Sequence, residues 1–197
     1  MSSEVSRADV KRIGLYGGTF DPIHLGHLIL AREARERLGL AKLIFVPARI
    51  APHKRAPFAS AEMRLSMLQA AVAGEKGLEV DDCELRRAPP SYTIDTAENV
   101  QRREPDAEIY YLIGEDNLAG LGNWRQLDRL QKIVRFVVLD RTGAEARHGY
   151  PIIARKIDIS ATDIRKRVAS AQSIRYLVPK SVEEIIRRNN LYREAAQ

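Results

Sequence analysis

An α/β fold with one doubly wound parallel sheet is predicted by three features of the sequence. Short apolar runs alternate with helical patterns from end to end, and such alternation implies parallel strands joined by right-handed crossovers. The apolar runs are strand-sized, and even the longest, such as IVRFVVL, are too short to cross a bilayer. The 197 residues suffice for one well-buried core, and no internal repeat or low-complexity linker divides them. A single domain over residues 1–197 is expected, with residues 1–10 as a flexible start, a core of about 11–192 and a helical C-terminal segment.

The elements follow in order. Residues 12–16 form a short apolar strand, and 25–38 a helix with Leu28, Ala31, Ala34 and Leu38 on one face, closed by Gly39. Residues 43–46 are a strand stopped by Pro47, and ARIAPHKRAPFAS is a basic, proline-rich loop. Ser60 caps a helix over 61–73, with Glu62 in its first turn. A strand is expected over 78–85, then the PPSYT loop, then a helix to about Arg103 with Thr93 as its cap. Residues 109–113 form a strand ending at Gly114, a short helix precedes 124–130, and 133–139 form a strand. The run RTGAEARHGYP is a loop and 157–159 a brief strand, after which Ser160 opens a helix toward Ala169. Ser181 and Glu184 have the spacing of a capping box for a last helix.

Composition excludes several classes. The start, MSSEVSRADVKR, has no apolar core of a secretory signal. Cys83 is the only cysteine, so neither an internal disulfide nor a thiolate zinc cluster is expected, and the cytoplasm is the expected location. A net charge of +6 favours anionic partners. The charges in ARERL and IRRNN read as solvated helix faces, and no basic stripe is interleaved with aromatics, so nucleic acid is not the expected partner. Nothing in the sequence signals an oligomeric state.

Ligands of such sheets sit at the carboxyl ends of the strands, so the loops leaving strands carry the chemistry. The loop GLYGGTFDPIHLGHLIL is neither a G-x-G-x-x-G turn nor a P-loop, yet its parts suit phosphate. Gly17 and Gly18 let backbone approach a ligand closely, Thr19 adds a hydroxyl, and a helix start follows. His24 and His27, three apart, share one face of that start, where imidazole N–H groups can donate to one phosphate chain. The competing readings are capping and packing, or a metal pair; no third ligand lies nearby in sequence.

GGTFDPIHLGH resembles the GGxFxPxHxGH signature of the HxGH nucleotidyltransferases, and Ile159-Ser160-Ala161-Thr162-Asp163-Ile164-Arg165 resembles their ISxTxxR signature. PHK at 52–54, SYTIDT at 91–96, IGEDN at 113–117 with Trp124, and SIRYLVP at 173–179 are similar to the bacterial nicotinate-mononucleotide adenylyltransferases. The resemblance implies a Rossmann-like fold and the reaction of ATP with nicotinate mononucleotide to give deamido-NAD and pyrophosphate, in NAD biosynthesis. Mg²⁺ is implied as cofactor, arriving with ATP and held mainly by phosphates and water.

Roles carried over by that resemblance fall on matching positions. His24, His27 and Arg165 are the implied catalytic residues. Gly17, Gly18, Thr19, Phe20, Lys54, Gly114, Asp116, Ile159, Ser160 and Thr162 complete the ATP site, with His53 beside Lys54 less directly involved. Asp116 would accept from a ribose hydroxyl; a helix N-cap is its ordinary alternative. Gly18, Lys54, Tyr92, Thr93, Trp124 and Arg125 would hold the mononucleotide, with Trp124 stacked on the pyridine ring or, alternatively, simply packed in the core. The rival functions are a pantetheine-phosphate adenylyltransferase-like or amide-preferring enzyme of the same superfamily, and a non-catalytic nucleotide-binding module.

Overall fold

The computed structural model describes residues 10–50, 56–142 and 148–193. Six strands, β1 (Arg12–Gly18), β2 (Lys42–Pro47), β3 (Leu78–Val80), β4 (Glu108–Gly114), β5 (Val134–Asp140) and β6 (Ile152–Ala154), form one sheet in the order β3-β2-β1-β4-β5-β6. Every neighbouring pair is parallel. The winding direction reverses between β1 and β4, which opens a crevice above their carboxyl ends.

Side chains alternate strictly across the sheet. In β4, Tyr110 and Leu112 enter one apolar cluster, while Ile109, Tyr111 and Ile113 enter the other. Helices α1 (Leu25–Arg37), α2 (Ala61–Val72), α6 (Ala161–Ala169) and α7 (Lys180–Arg188) cover the first face. Helices α4 (Thr93–Arg103) and α5 (Leu127–Ile133) cover the second. Both faces being covered explains why the strands are apolar throughout. No described helix is long and apolar enough to cross a membrane.

Four local expectations are corrected. The strand expected over 78–85 ends at Val80 and gives way to a helical turn, α3 (Cys83–Arg86). The Asp81 side chain accepts from the Cys83 N–H at 2.9 Å, a local bond that turns the chain out of the sheet. The edge strand after β5 is 152–154, not 157–159. The latter segment is instead tied to Arg141, whose guanidinium donates to the Ile159 carbonyl at 3.1 Å and whose carbonyl accepts from the Ile157 N–H at 3.1 Å. Ser181 does not cap α7, because Pro179 occupies the N-cap and the Ser181 hydroxyl donates to the Ala70 carbonyl at 3.0 Å, on the neighbouring α2. Tyr92, not Thr93, is the N-cap of α4, and Thr93 is its first residue. Ser60 does cap α2, accepting from the Met63 N–H at 3.3 Å.

Candidate active site

The loop leaving β1 places two imidazoles at the mouth of α1. His24 is the N-cap residue, extended at φ −145° and ψ 170°, and is followed by Leu25, Gly26 and His27 in the first turn. The two rings stack with centroids 3.7 Å apart at 26°. Gly26 makes this possible, since a Cβ there would lie 3.1 Å from the His24 ring. The His24 N–H donates to His27 Nδ1 at 3.4 Å, which leaves the His27 proton on Nε2. Phe20 meets the His27 ring edge to face at 5.2 Å and fixes its plane.

The amides of this helix start are largely engaged within the protein. The Leu25 N–H donates to the Leu177 carbonyl at 2.9 Å, and those of His27 and Leu28 donate to the His24 carbonyl at 3.0 and 3.3 Å. The donors offered at this end are therefore imidazoles rather than a ring of backbone N–H groups. His24 Nδ1 is buried without a hydrogen-bond partner among the described residues. Burial, reinforced by the Arg141 charge, lowers the His24 pKa to about 3. Burial, then His24 and Arg141, also holds His27 well below the usual imidazole range. Both rings are neutral at pH 7, so each carries one N–H donor.

The glycine pair acts through packing. Neither Gly17 nor Gly18 has a positive φ. A Cβ on Gly17 would collide with the Tyr111 hydroxyl, and one on Gly18 would lie 2.8 Å from the Phe20 ring. The Gly114 position is similar, since a Cβ there would lie 2.5 Å from Asp116 Oδ1. The Asp116 carboxylate thus folds back over the end of β4. Gly114, not Asp116, is the N-cap of the 3₁₀ segment Glu115–Asn123, so Asp116 does not take the capping role.

Helix α6 brings a fixed charge to the same crevice. The Ser160 hydroxyl caps it, accepting from the Asp163 N–H at 3.1 Å. Arg165, in the second turn, donates to the Asp21 carbonyl at 2.7 Å and to the Thr162 hydroxyl at 3.2 Å. Its guanidinium lies over the Phe58 ring, 4.6 Å from the centroid.

These groups line one cavity of about 1110 Å³ above β1, β2, β4 and β5. Gly17, Gly18, Thr19, Phe20, His24, His27, Gly114, Asp116, Ser160, Thr162 and Arg165 all border it. Tyr92, Thr93, Trp124 and Arg125 border it as well. Trp124 is half-buried and meets Tyr111 edge to face at 5.6 Å, so it is wall rather than core. The Arg125 guanidinium lies 4.7 Å from the Tyr92 ring centroid. The Thr93 hydroxyl is 3.4 Å from the Tyr111 hydroxyl, and no side chain caps the start of α4. Ile159 is not among the described residues that border the cavity, though its carbonyl accepts from Arg141, which does. Lys54, His53, residues 1–9 of the expected flexible start and 143–147 of the loop after β5 lie outside the described residues.

Three site residues escaped the sequence reading. Arg141, just past β5, borders the cavity and biases both histidines toward neutrality. Its only sequence signal was its place one residue beyond a strand. Arg64 of α2 is 1% exposed and donates to the carbonyls of Thr19 at 2.8 Å, Ala48 at 2.7 Å and Arg49 at 3.2 Å. It thereby ties the loop after β1 to the loop after β2. Asp21 accepts at its carboxylate from the N–H groups of Phe58 at 2.6 Å and Ala59 at 3.2 Å.

Comparison with known proteins points the same way. The cytidylyltransferase-like family matches residues 15–167. A protein of Exiguobacterium sibiricum named "probable nicotinate-nucleotide adenylyltransferase" is 42% identical, over 92% of this chain and 98% of the relative. One of Shouchella clausii with the same name is 43% identical, over 93% and 97%. Among solved structures, the Plasmodium falciparum nicotinic acid mononucleotide adenylyltransferase complexed with NaAD superposes with a TM-score of 0.79 at 19% identity, covering 93% of this chain and 98% of that one. At that identity the likeness concerns the fold.

Proposed function

The chain belongs to the cytidylyltransferase-like family, among the nicotinate-nucleotide adenylyltransferases, and on that premise we propose that it transfers the adenylyl group of ATP to nicotinate mononucleotide, giving deamido-NAD and pyrophosphate. One observation carries the reading: a neutral imidazole pair, His24 buried and His27 partly so, shares a single cavity with Arg165 and with an aromatic wall at Trp124. Neutral N–H donors and a fixed guanidinium suit a polyphosphate, and an indole wall suits a flat heteroaromatic ring.

A phosphate oxygen of the mononucleotide bonds to the α-phosphorus of ATP as the bond from that phosphorus to the β-phosphate bridging oxygen breaks. The electron pair leaves with pyrophosphate. The nucleophile is already anionic at neutral pH, so no side chain need remove a proton, and positioning and charge stabilisation do the catalysis. His27 donates from Nε2 to the α-phosphate, and His24 donates beside it. Arg165, held by Asp21 and Thr162, pairs with the outer phosphates, and Arg141 adds positive potential. Gly17, Gly18, Thr19 and Phe20 shape the phosphate floor, and the PHK resemblance assigns Lys54 to the same phosphates. Asp116 accepts from the ribose, with Gly114 beneath it, and backbone groups of Ile159 and Ser160 face adenine.

At the other end Trp124 and Tyr92 flank the pyridine ring. The N–H and hydroxyl of Thr93 and the N–H of Arg125 donate to its carboxylate. No group of three or more His, Cys, Asp or Glu gathers around a metal position among the described residues. Mg²⁺ would arrive with ATP, bound mainly by phosphate oxygens and water, and would offset triphosphate charge there. The reading is of a cytoplasmic enzyme whose partners are these small molecules rather than nucleic acid. The test is to incubate the protein with ATP, MgCl₂ and nicotinate mononucleotide and follow pyrophosphate and dinucleotide together. Formation of neither would overturn it.

A further inference from the structure

The phosphate end of the cavity is held from an unexpected direction, the C-terminal end of the described chain. Tyr192 follows α7, is 6% exposed and has a left-handed backbone at φ 64°. Its hydroxyl donates to Asp21 Oδ1 at 2.6 Å. The partners are 171 residues apart in sequence, and Asp21 lies inside the loop that delivers both histidines. The phenol, pushed far up by burial and then by Asp21, keeps its proton and is a permanent donor.

Asp21 gathers four contacts at once. Its Oδ1 accepts from Tyr192 and from the Ala59 N–H, and its Oδ2 from the Phe58 N–H. Its main-chain carbonyl accepts from Arg165. Phe58, pinned through its N–H, presents its ring beneath the Arg165 guanidinium. The ring is itself 58% exposed, so burial does not hold it there. The buried Arg64 cation is near enough for its charge to act on both Asp21 and Tyr192. Two supports of Arg165, one main-chain carbonyl and one aromatic ring, therefore both trace back to a carboxylate that Tyr192 helps to orient.

We propose that Tyr192 is a positioning residue for ATP, acting through Asp21 and Phe58 on Arg165 and leaving the mononucleotide end untouched. The proposal rests on the phosphate role assigned to Arg165 above. Losing the hydroxyl removes one donor from Oδ1 and frees the carboxylate to rotate. The Phe58 and Ala59 N–H groups then lose their fixed acceptor, and the ring under Arg165 drifts.

The test is Tyr192→Phe, which keeps the buried ring, measured by calorimetric titration of ATP and of nicotinate mononucleotide separately, alongside steady-state kinetics. The expected result is a rise of roughly three- to tenfold in Kd and KM for ATP, the span of one hydrogen bond. Mononucleotide binding should stay within about twofold. Repeated in a Phe58→Ala background, the substitution should have a clearly smaller effect, because one of its two relays, the ring, is gone. Asp21→Asn should shift ATP in the same direction and further. Equal weakening of both ligands, unchanged ATP binding, or full additivity with Phe58→Ala would overturn the proposal. A parent protein that binds both ligands and makes no dinucleotide would instead sink the catalytic reading, and the binding split would still decide the role of Tyr192.

Discussion

Two helix starts face the same cavity and are built in opposite ways. At α1 the first amides are engaged by the Leu177 and His24 carbonyls, and two imidazoles stand in their place. At α4 no side chain among the described residues caps the first turn, and Thr93 there borders the cavity. On the proposed reading, the first end recognises with side chains and the second largely with main chain. Side-chain donors on a buried ring can be tuned in pKa and matched to charge that develops during reaction. Main-chain donors cannot be tuned, but they discriminate reliably between an acceptor and a donor on the ligand. On the proposed reading, chemistry is thus concentrated at α1 and substrate choice at α4.

The largest effect should come from His27→Ala, which removes the Nε2 donor. It should lower kcat by ~10²–10³, as loss of a preorganised donor does, and leave mononucleotide affinity nearly unchanged. Stopped or quenched assays of pyrophosphate release on the folded variant check this, and turnover within a few-fold of the parent would break the contrast. Next comes substrate choice at α4. A carboxamide must aim an NH₂ donor at the Thr93 or Arg125 N–H, and an unmatched polar group costs ~1–3 kcal/mol. The acid should therefore exceed the amide in kcat/KM by on the order of 10²-fold. Side-by-side kinetics under saturating ATP and Mg²⁺ decide it, and equal values would refute a donor-lined pocket.

Smaller still, Thr93→Val should raise the KM for nicotinate mononucleotide only about threefold, since the main-chain N–H remains. A loss as large as that of His27→Ala would mean that side chains dominate both ends. The last effect is absent at neutral pH and grows with acid. Imidazoles held neutral in the fold take up protons near pH 6.5 when unfolded, whereas native His24 resists until about pH 3. The unfolded state binds more protons across that window, so stability falls as pH drops from 6.5 toward 3. A His24→Asn/His27→Asn double variant should show a flatter fall in denaturation midpoint between pH 6.5 and 4. A slope identical to the parent's would show that the rings are not neutral in the fold.

What could be read from the sequence was what is local. The turn from β1 into α1 places Gly17, Gly18, His24 and His27 within eleven residues, and the Ser160 cap with Arg165 spans six. Glycine positions and histidine spacing carry that geometry directly. Ser181 shows how a local pattern fails, because its hydroxyl met a better-placed acceptor on α2 than the amide of its own helix. Asp81 shows the reverse, a side-chain bond two residues long that ended a strand the apolar pattern would have continued. Arg64 and Tyr192 left no local trace, since the acceptors of Arg64 lie 15, 16 and 45 residues away and that of Tyr192 lies 171 away. An arginine in a helical pattern reads as surface until its carbonyl acceptors are known. Lys54, outside the described residues, enters the expected site only through the resemblance of PHK, because a basic loop by composition is usually just solvated.

The buried Arg64 also bears on how the molecule assembles. A guanidinium leaves water at reasonable cost only once its acceptors are in place, and here those acceptors come from the loops after β1 and β2 while the arginine rides on α2. A chain with β1, β2 and α2 packed but with either loop astray would strand a cation in the core beneath Met67 and Leu68, both fully buried. Such half-built states are selectively disfavoured, so the first half of the sheet and the rim of the cavity above it must consolidate in one step. The binding surface is in that sense a condition of folding cooperativity, rather than decoration added to a finished scaffold.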